Sequence, residues 1–270
     1  MERSHVALVT GAGRGIGRAI AERLGRERVA VLVAARSQEA CLEVSGGIRE
    51  RGGKAWPIHL DVSDQDRIRQ AVEGGVDLAS EVGPIDWLVN NAGFVASAPF
   101  LEHGRPTGVD SYERHLRVNF HGPRWMIEAL VPGMIERGYG RVVNVASSAG
   151  LKSYAYAAAY GASKHALVGY SQAAAQELAK TKVTMNLVCP HYVDSPMTDE
   201  SVARIVEKTG RSAQETRAFL AAQNPGGSLI GVDEVADVVW QLLSGDKNGA
   251  LVELVGGKGA LPPERTVVWR

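Results

Sequence analysis

Seven short apolar runs, most of them rich in valine, recur along the 270 residues of the chain, with longer stretches of helical period between them. The runs are His5–Thr10, Arg28–Ala35, Ala55–Leu60, Trp87–Asn90, Arg141–Ala146, Val183–Cys189 and Ala250–Val255. The helical stretches are Gly15–Gly25, Gln38–Arg51, Asp64–Ser80, Ser111–Arg137, Ala157–Ala179 and Asp233–Leu243, the last with Asp233 as its N-cap. Strands that stay apolar without alternation must be covered on both faces, and the segments between them are long enough for helical crossovers. The pattern therefore predicts an α/β fold, a doubly wound parallel sheet of about seven strands with helices on both faces. No Ser/Gly/Pro linker and no solenoid repeat divides the chain, so residues 1–270 read as a single domain. The segment Asp194–Asn224 interrupts the alternation beyond a strand's C-terminal end, where ligand crevices form, and reads as a lid; a surface insertion is the alternative.

Composition narrows the partners. Thirty Lys plus Arg balance thirty Asp plus Glu, so no long-range field draws the chain to nucleic acid or an anionic membrane, and small-molecule partners are expected instead. No run of apolar residues is long enough to span a bilayer, and Met1–His5 leads straight into Val6–Val9 without the parts of a signal peptide. The two cysteines, Cys41 and Cys189, have neither disulfide-framework nor zinc-ligand spacing; a reducing, cytoplasmic setting and no metal are expected.

Between the first run and the first helical stretch lies Thr10-Gly-Ala-Gly-Arg-Gly-Ile-Gly17. A turn at this place can bring backbone N–H groups against a pyrophosphate at a helix N-terminus, although a Gly-rich turn alone is also common in βα connections. Further along come Asn90-Asn-Ala-Gly93, Asn119, Ser147 and Tyr160-Gly-Ala-Ser-Lys164. Together, in this order and spacing, these residues resemble the short-chain dehydrogenase/reductase family over nearly the whole chain, as far as Gly256-Gly257. The resemblance implies a Rossmann-like fold and hydride transfer between a nicotinamide cofactor and a secondary alcohol or ketone.

Tyr160 and Lys164, four apart on a helix, leave the same face one turn from each other. A tyrosine with a pKa of about 10 is a weak base at neutral pH, and a neighbouring ammonium together with a positive nicotinamide would favour its phenolate. By resemblance Tyr160 exchanges the proton with the substrate oxygen, Lys164 also holds the nicotinamide ribose, Ser147 holds the carbonyl oxygen, and Asn119 supports a water chain to the lysine. Ser148, next to Ser147, is expected to be a local cap. The cofactor-binding set implied is Gly11, Gly13, Arg14, Gly15, Ile16, Gly17, Arg36, Asp61, Val62, Asn91, Ala92, Gly93, Tyr160, Lys164, Pro190, Val193 and Ser195. Asp61 meets the adenine, and the Val193 backbone and Ser195 hydroxyl meet the carboxamide. His191, Tyr192 and Met197 are candidates for substrate contact.

Two departures from the family pattern stand out. His191 occupies the place of a glycine in Pro190-His-Tyr-Val-Asp-Ser-Pro-Met197, which either alters the loop and shapes the substrate pocket or points to solvent. The stretch Ala98–Asp110, carrying Gly104, Pro106 and Gly108, is longer than usual and reads as a surface loop.

Ala35 stands where NAD-preferring folds place an acid, and Arg36 and Arg14 could flank a 2′-phosphate, so NADP is expected, with NAD as the alternative if both arginines are merely solvated. Met197, Phe219 and Leu220 suggest a partly apolar pocket. The reading is an NADP(H)-dependent oxidoreductase, with a 3-oxoacyl thioester or similar ketone as one substrate class. An NAD-dependent secondary alcohol or 3-hydroxyacyl dehydrogenase is the rival enzyme, and a non-catalytic nucleotide-sensing module the rival of another class. Small residues over Ala157–Ala175, with the family resemblance, suggest a homodimer or homotetramer.

Overall fold

The computed structural model describes residues 5–72, 83–102, 111–257 and 266–268. Strands β1 (Val6–Thr10), β2 (Ala30–Ala35), β3 (Lys54–His59), β4 (Trp87–Asn90), β5 (Gly140–Val145), β6 (Val183–Pro190) and β7 (Ala250–Leu254) pair in parallel, and β8 (Thr266–Val268) joins β7 antiparallel. Their order across the sheet is β3-β2-β1-β4-β5-β6-β7-β8. The helices are α1 (Gly15–Arg26), α2 (Gln38–Glu50), α3 (described over 65–72), α4 (Ser111–Leu116), α5 (Gly122–Glu136), α6 (Ala158–Leu178), α7 (Pro196–Thr209), α8 (Ala213–Gln223) and α9 (Val232–Ser244).

Alternation along each strand divides the core into two layers. On β1, Ala7 and Val9 face α1, α2 and α9, where Ile20, Leu24, Ile48 and Leu243 are buried, whereas Val6 and Leu8 face the layer of Ile68, Met126, Met134 and Leu178 on α3, α5 and α6. The packing decides local conflicts. Helix α1 contains Gly17 and Gly25, each about 1 kcal/mol less favourable than alanine in helix propensity, but full burial of Ile20 and Leu24 contributes roughly 1.5–3 kcal/mol apiece and offsets them.

The seven parallel strands and the crossover helices follow the sequence pattern, with ends shifted by a residue or two. Three features differ. β8 lies outside the seven expected strands, since three residues are too few to show a period. The expected helix Ser111–Arg137 is interrupted by a π-helical turn, Arg117–His121, where the Gly122 N–H reaches back to the Arg117 carbonyl. Pro123 has no N–H to give the carbonyl of Asn119, so the ordinary ladder cannot pass this point. Helix α9 is capped at Gly231 rather than Asp233: the Glu234 carboxylate accepts from the Gly231 N–H at 2.7 Å, which leaves Asp233 in the first turn. The second half of the expected helix Asp64–Ser80 (residues 73–80) and residues 103–110 of the expected loop lie outside the described residues. No described helix is long and apolar enough to cross a membrane.

From β1 the chain proceeds to β2 on one side and returns as β4 on the other. This reversal opens a crevice at the C-terminal ends of β1 and β4, and the site lies there.

Candidate active site

A cleft of about 880 Å³ runs along the C-terminal edge of the sheet. It is lined at one end by the glycine loop and Arg36, and at the other by Ser147, Tyr160 and the loop after β6.

The glycine loop is held from the neighbouring strand. The Thr10 hydroxyl accepts from the backbone N–H groups of Asn91 and Ala92 at 3.0 and 3.1 Å, and Asn91 Nδ2 donates to the Thr10 and Gly11 carbonyls at 3.0 and 3.3 Å. Loop and strand are so close that a Cβ on Gly11, where φ is +66°, would stand 2.8 Å from Ala92 Cα. Arg14 flanks the start of α1 without a side-chain cap, and the first turn carries no acid, so the helix presents its N–H groups to the cleft as a phosphate would require.

At the adenosine end, Ala35 closes β2, Arg36 is exposed with no ion-pair partner among the described residues, and Ser37 caps α2 by accepting from the Ala40 N–H at 3.2 Å. No carboxylate closes β2 to accept from a ribose 2′-hydroxyl. Asp61 lines the cleft, its Oδ1 accepting from Ser63 N and Oγ at 2.9 and 2.7 Å, with Val62 buried beside it. Arg14 differs from expectation, because its guanidinium pairs with Glu200 of α7 at 2.6 Å and ties the glycine loop to the lid.

At the other end, Ser147 follows β5, and Tyr160 and Lys164 come up from α6. Loss of water around the phenol pushes the Tyr160 pKa up to about 12, and the Ser147 hydroxyl pulls it back in part. Burial pushes the Lys164 ammonium down to about 8. Lys164 Nζ donates to the Val145 carbonyl at 3.0 Å and lies 5.9 Å from the Tyr160 ring centroid. In the protein alone desolvation is the larger effect on the phenol, and it also weakens the charge that Lys164 can offer.

Asn119 is fully buried in the π-helical turn, and its amide is taken up by Phe94 N and O at 3.0 and 3.1 Å and by Ser163 Oγ at 3.0 Å. Its side chain thus fixes the strand-end loop and the residue preceding Lys164, leaving only its backbone carbonyl for a water chain. Gly93 lies between the two, where a Cβ would stand 3.1 Å from Asn119 Oδ1 and 3.7 Å from Lys164 Nζ.

The loop after β6 is built without the family's glycine. His191 does not adopt positive φ; its N–H donates to the Leu254 carbonyl at 3.0 Å, and its imidazole is wholly covered. Nε2 meets Glu253 Oε1 at 2.6 Å and Nδ1 meets the Tyr154 hydroxyl at 3.4 Å, which rules out the solvent-facing alternative. The Tyr192 N–H donates to Asn224 Oδ1, the Val193 carbonyl accepts from the Thr198 hydroxyl, and Ser195 begins α7 with its hydroxyl engaged by no cap bond. Helices α7 and α8 occupy the expected lid, with Arg217 bridging Asp194 and Asp199. Met197 and Leu220 line the cleft; Phe219, expected there, is 47% exposed beneath Arg211.

Ser148 is not the local cap. Ser147 takes that part, accepting from the Ala149 N–H at 3.1 Å, while Ser148 bonds the Tyr154 hydroxyl at 2.9 Å. Thr10 as a brace, Glu200, Tyr154 and Glu253 stand outside the set expected from the sequence. Only Thr10 carried a signal, as the first residue of the glycine motif.

A sequence model described as short chain dehydrogenase matches residues 5–205. The chain is 38% identical to a putative ketoacyl reductase of Streptomyces coelicolor over 89% of its own length and 90% of that protein's. It is 31% identical to the 3-oxoacyl-acyl-carrier-protein reductase of Salmonella typhimurium, over 93% and 96%. Among solved structures, an actinorhodin polyketide ketoreductase variant with NADPH superposes with a TM-score of 0.86 at 33% identity, covering 94% of this chain and 96% of that one. An NAD+-bound xylitol dehydrogenase gives 0.84 at 31%, covering 94% and 99%.

Proposed function

The chain belongs to the short-chain dehydrogenase family, and from that footing we propose that it reduces a ketone to a secondary alcohol with NADP(H). The observation that carries this reading is the convergence of Ser147, Tyr160 and Lys164 at one end of a cleft whose other end joins a glycine loop to the exposed Arg36 and lacks an acid after β2. Relatives named for ketoacyl and 3-oxoacyl reduction support it, as does a ketoreductase solved with NADPH. A 3-oxoacyl thioester or a similar ketone is the substrate class in view.

In this reading Gly11, Gly13, Gly15, Ile16 and Gly17 hold the pyrophosphate, Arg36 the 2′-phosphate, Asp61 and Val62 the adenine, and Asn91, Ala92 and Gly93 the adjoining ribose. Pro190, Val193 and Ser195 position the carboxamide, and Lys164 the nicotinamide ribose. The bound cofactor supplies the hydride from its nicotinamide ring. Ser147 donates a hydrogen bond to the ketone oxygen, and Tyr160 gives that oxygen its proton. A phenol raised to about 12 holds its proton at neutral pH, as an acid for reduction must, and becomes a useful donor when negative charge grows on the oxygen 's side. Asn119 keeps the loop and Ser163 in register with Lys164.

Residues 1–270 then act as a single domain with 194–224 as the lid over the substrate, placed in the cytoplasm. Exposed small residues Ala162, Gly169 and Ala173 on α6 suit close approach of a second copy in a homodimer or homotetramer. An NAD-linked dehydrogenase is the second reading, favoured by the engagement of Arg14 with Glu200. A panel of ketones and alcohols offered with both cofactors, followed by the absorbance of reduced nicotinamide, tests both; no turnover with any pair would remove the enzyme reading.

A further inference from the structure

We infer that His191, oriented by Glu253, makes Tyr154 and Ser148 a pair of hydrogen-bond acceptors that read a hydroxyl on the substrate beside the reacting carbonyl. This rests on the ketone-reductase reading and narrows the similar ketone of that reading to one that carries a neighbouring hydroxyl.

The argument follows the direction of the protons. The His191 imidazole is wholly covered and engaged at both nitrogens. A carboxylate only accepts, so the 2.6 Å contact with Glu253 places the imidazole proton on Nε2. That tautomer leaves Nδ1 as the acceptor for the Tyr154 hydroxyl, 3.4 Å away. With that proton committed, the 2.9 Å contact between Tyr154 and Ser148 must be donated by the serine. The chain runs Ser148 to Tyr154 to His191 to Glu253, each proton directed away from the cleft.

What remains on the cleft side is lone pairs on Tyr154 Oη and Ser148 Oγ. Both residues line the cleft beside Ser147 and Tyr160, and the Tyr154 ring meets Tyr192 edge-on at 6.4 Å. A substrate hydroxyl can donate there. A ligand that covers these oxygens without a donor leaves buried acceptors unpaired, and an ether oxygen sets lone pair against lone pair; discrimination against the missing partner is the strong kind. Glu253 and His191 are positioning residues here, acting through Tyr154.

The test compares 2-hydroxycyclohexanone, 2-methoxycyclohexanone and 2-methylcyclohexanone as substrates, and the corresponding cyclohexanols as calorimetric ligands of the enzyme saturated with NADPH. Wild type should favour the hydroxy compound over the methoxy one by about tenfold or more in kcat/KM and in Kd. In Tyr154→Phe the ratio should fall to within about twofold of one, and Glu253→Gln, which no longer fixes the tautomer, should give an intermediate ratio. Because the readout is a ratio within each variant, general damage to the fold does not move it. Turnover tests the reductase reading, whereas selective binding tests this one even if the three ketones are not reduced. A wild-type ratio near one, a preference for the methoxy compound, or an undiminished ratio in Tyr154→Phe overturns the proposal.

Discussion

Lys164 Nζ donates to the carbonyl of Val145 at 3.0 Å, so a buried ammonium is held by the last residue of β5. One acceptor replaces little of the water lost, and the pKa drops from 10.5 to about 8. Unfolded lysine keeps its proton up to 10.5 while the folded chain releases it near 8, so in that window the unfolded state binds more protons and stability rises with pH. The penalty is complete below pH 8 and is worth about 3 kcal/mol. Lys164→Met removes it, but leaves the Val145 carbonyl without its donor, a loss of about 1–3 kcal/mol. In urea unfolding of the cofactor-free protein, the stability of Lys164→Met relative to wild type should therefore decline by about 3 kcal/mol from pH 8 to 10.5. A flat difference would mean that the ammonium is not held at a loss.

Tyr160→Phe separates chemistry from binding. The ring and its packing stay while the phenolic proton goes, so turnover should fall by about 10²–10⁴-fold with the cofactor Kd little changed. Lys164→Met should weaken both, since in the proposed site it serves the tyrosine and the ribose. Cofactor titration beside steady-state rates distinguishes the two patterns; near wild-type turnover in Tyr160→Phe would remove it as the acid.

The parts of this site that could be read in the sequence are those fixed by local geometry. Tyr160 and Lys164 share a helix face because they are four apart, and the glycine loop announces a turn where a strand meets a helix. The network behind His191 joins residues 154, 191 and 253, which meet only after β7 has docked beside β6 and brought Glu253 into register with Cys189. No spacing encodes that meeting. The π-helical turn was hidden for a different reason: its amphipathic pattern remains helical, and only the missing N–H of Pro123 hints at the break. Phe219 misled because apolarity in a lid suggests a pocket wall, but the orientation of α8 gives Leu220 that place.

Arg36 has an exposed guanidinium and no carboxylate at the end of β2 to compete for it. Charge-assisted contact with a 2′-phosphate is worth about 1.5–3 kcal/mol, so Arg36→Ala should weaken NADPH by about tenfold or more and leave NADH within about twofold. Equal weakening of both, measured by fluorescence titration, would show that Arg36 does not read the phosphate.

Glu200 tests the part of Arg14. Their pair is exposed on both sides, and such contacts are worth at most about 1 kcal/mol. Glu200→Gln frees the guanidinium for an anion. If Arg14 turns to the 2′-phosphate, NADPH should bind up to about fivefold more tightly at low salt, with NADH unaffected. Unchanged affinity for both would confine Arg14 to the lid.

Two glycines in helices should answer alanine with opposite signs. Helix propensity alone favours alanine by about 1 kcal/mol at either place. At Gly46 in α2 an added Cβ meets nothing within 4 Å, so Gly46→Ala should stabilise by about 0.5–1 kcal/mol. At Gly17 the same atom would lie 2.2 Å from the Gly11 carbonyl oxygen and 2.4 Å from Asn91 Nδ2. Neither neighbour can swing away, since one is backbone and the other braces the loop through Thr10 and Gly11. Overpacking of this kind costs about 1–3 kcal/mol, enough to reverse the propensity gain, and the displaced loop is the one proposed to hold the pyrophosphate. Gly17→Ala should lower the thermal midpoint and weaken NADPH and NADH alike, whereas Gly46→Ala raises the midpoint and leaves both affinities alone. If Gly17→Ala stabilised the protein and still bound cofactor normally, the close approach of α1 to the β4 loop would not be what requires glycine there.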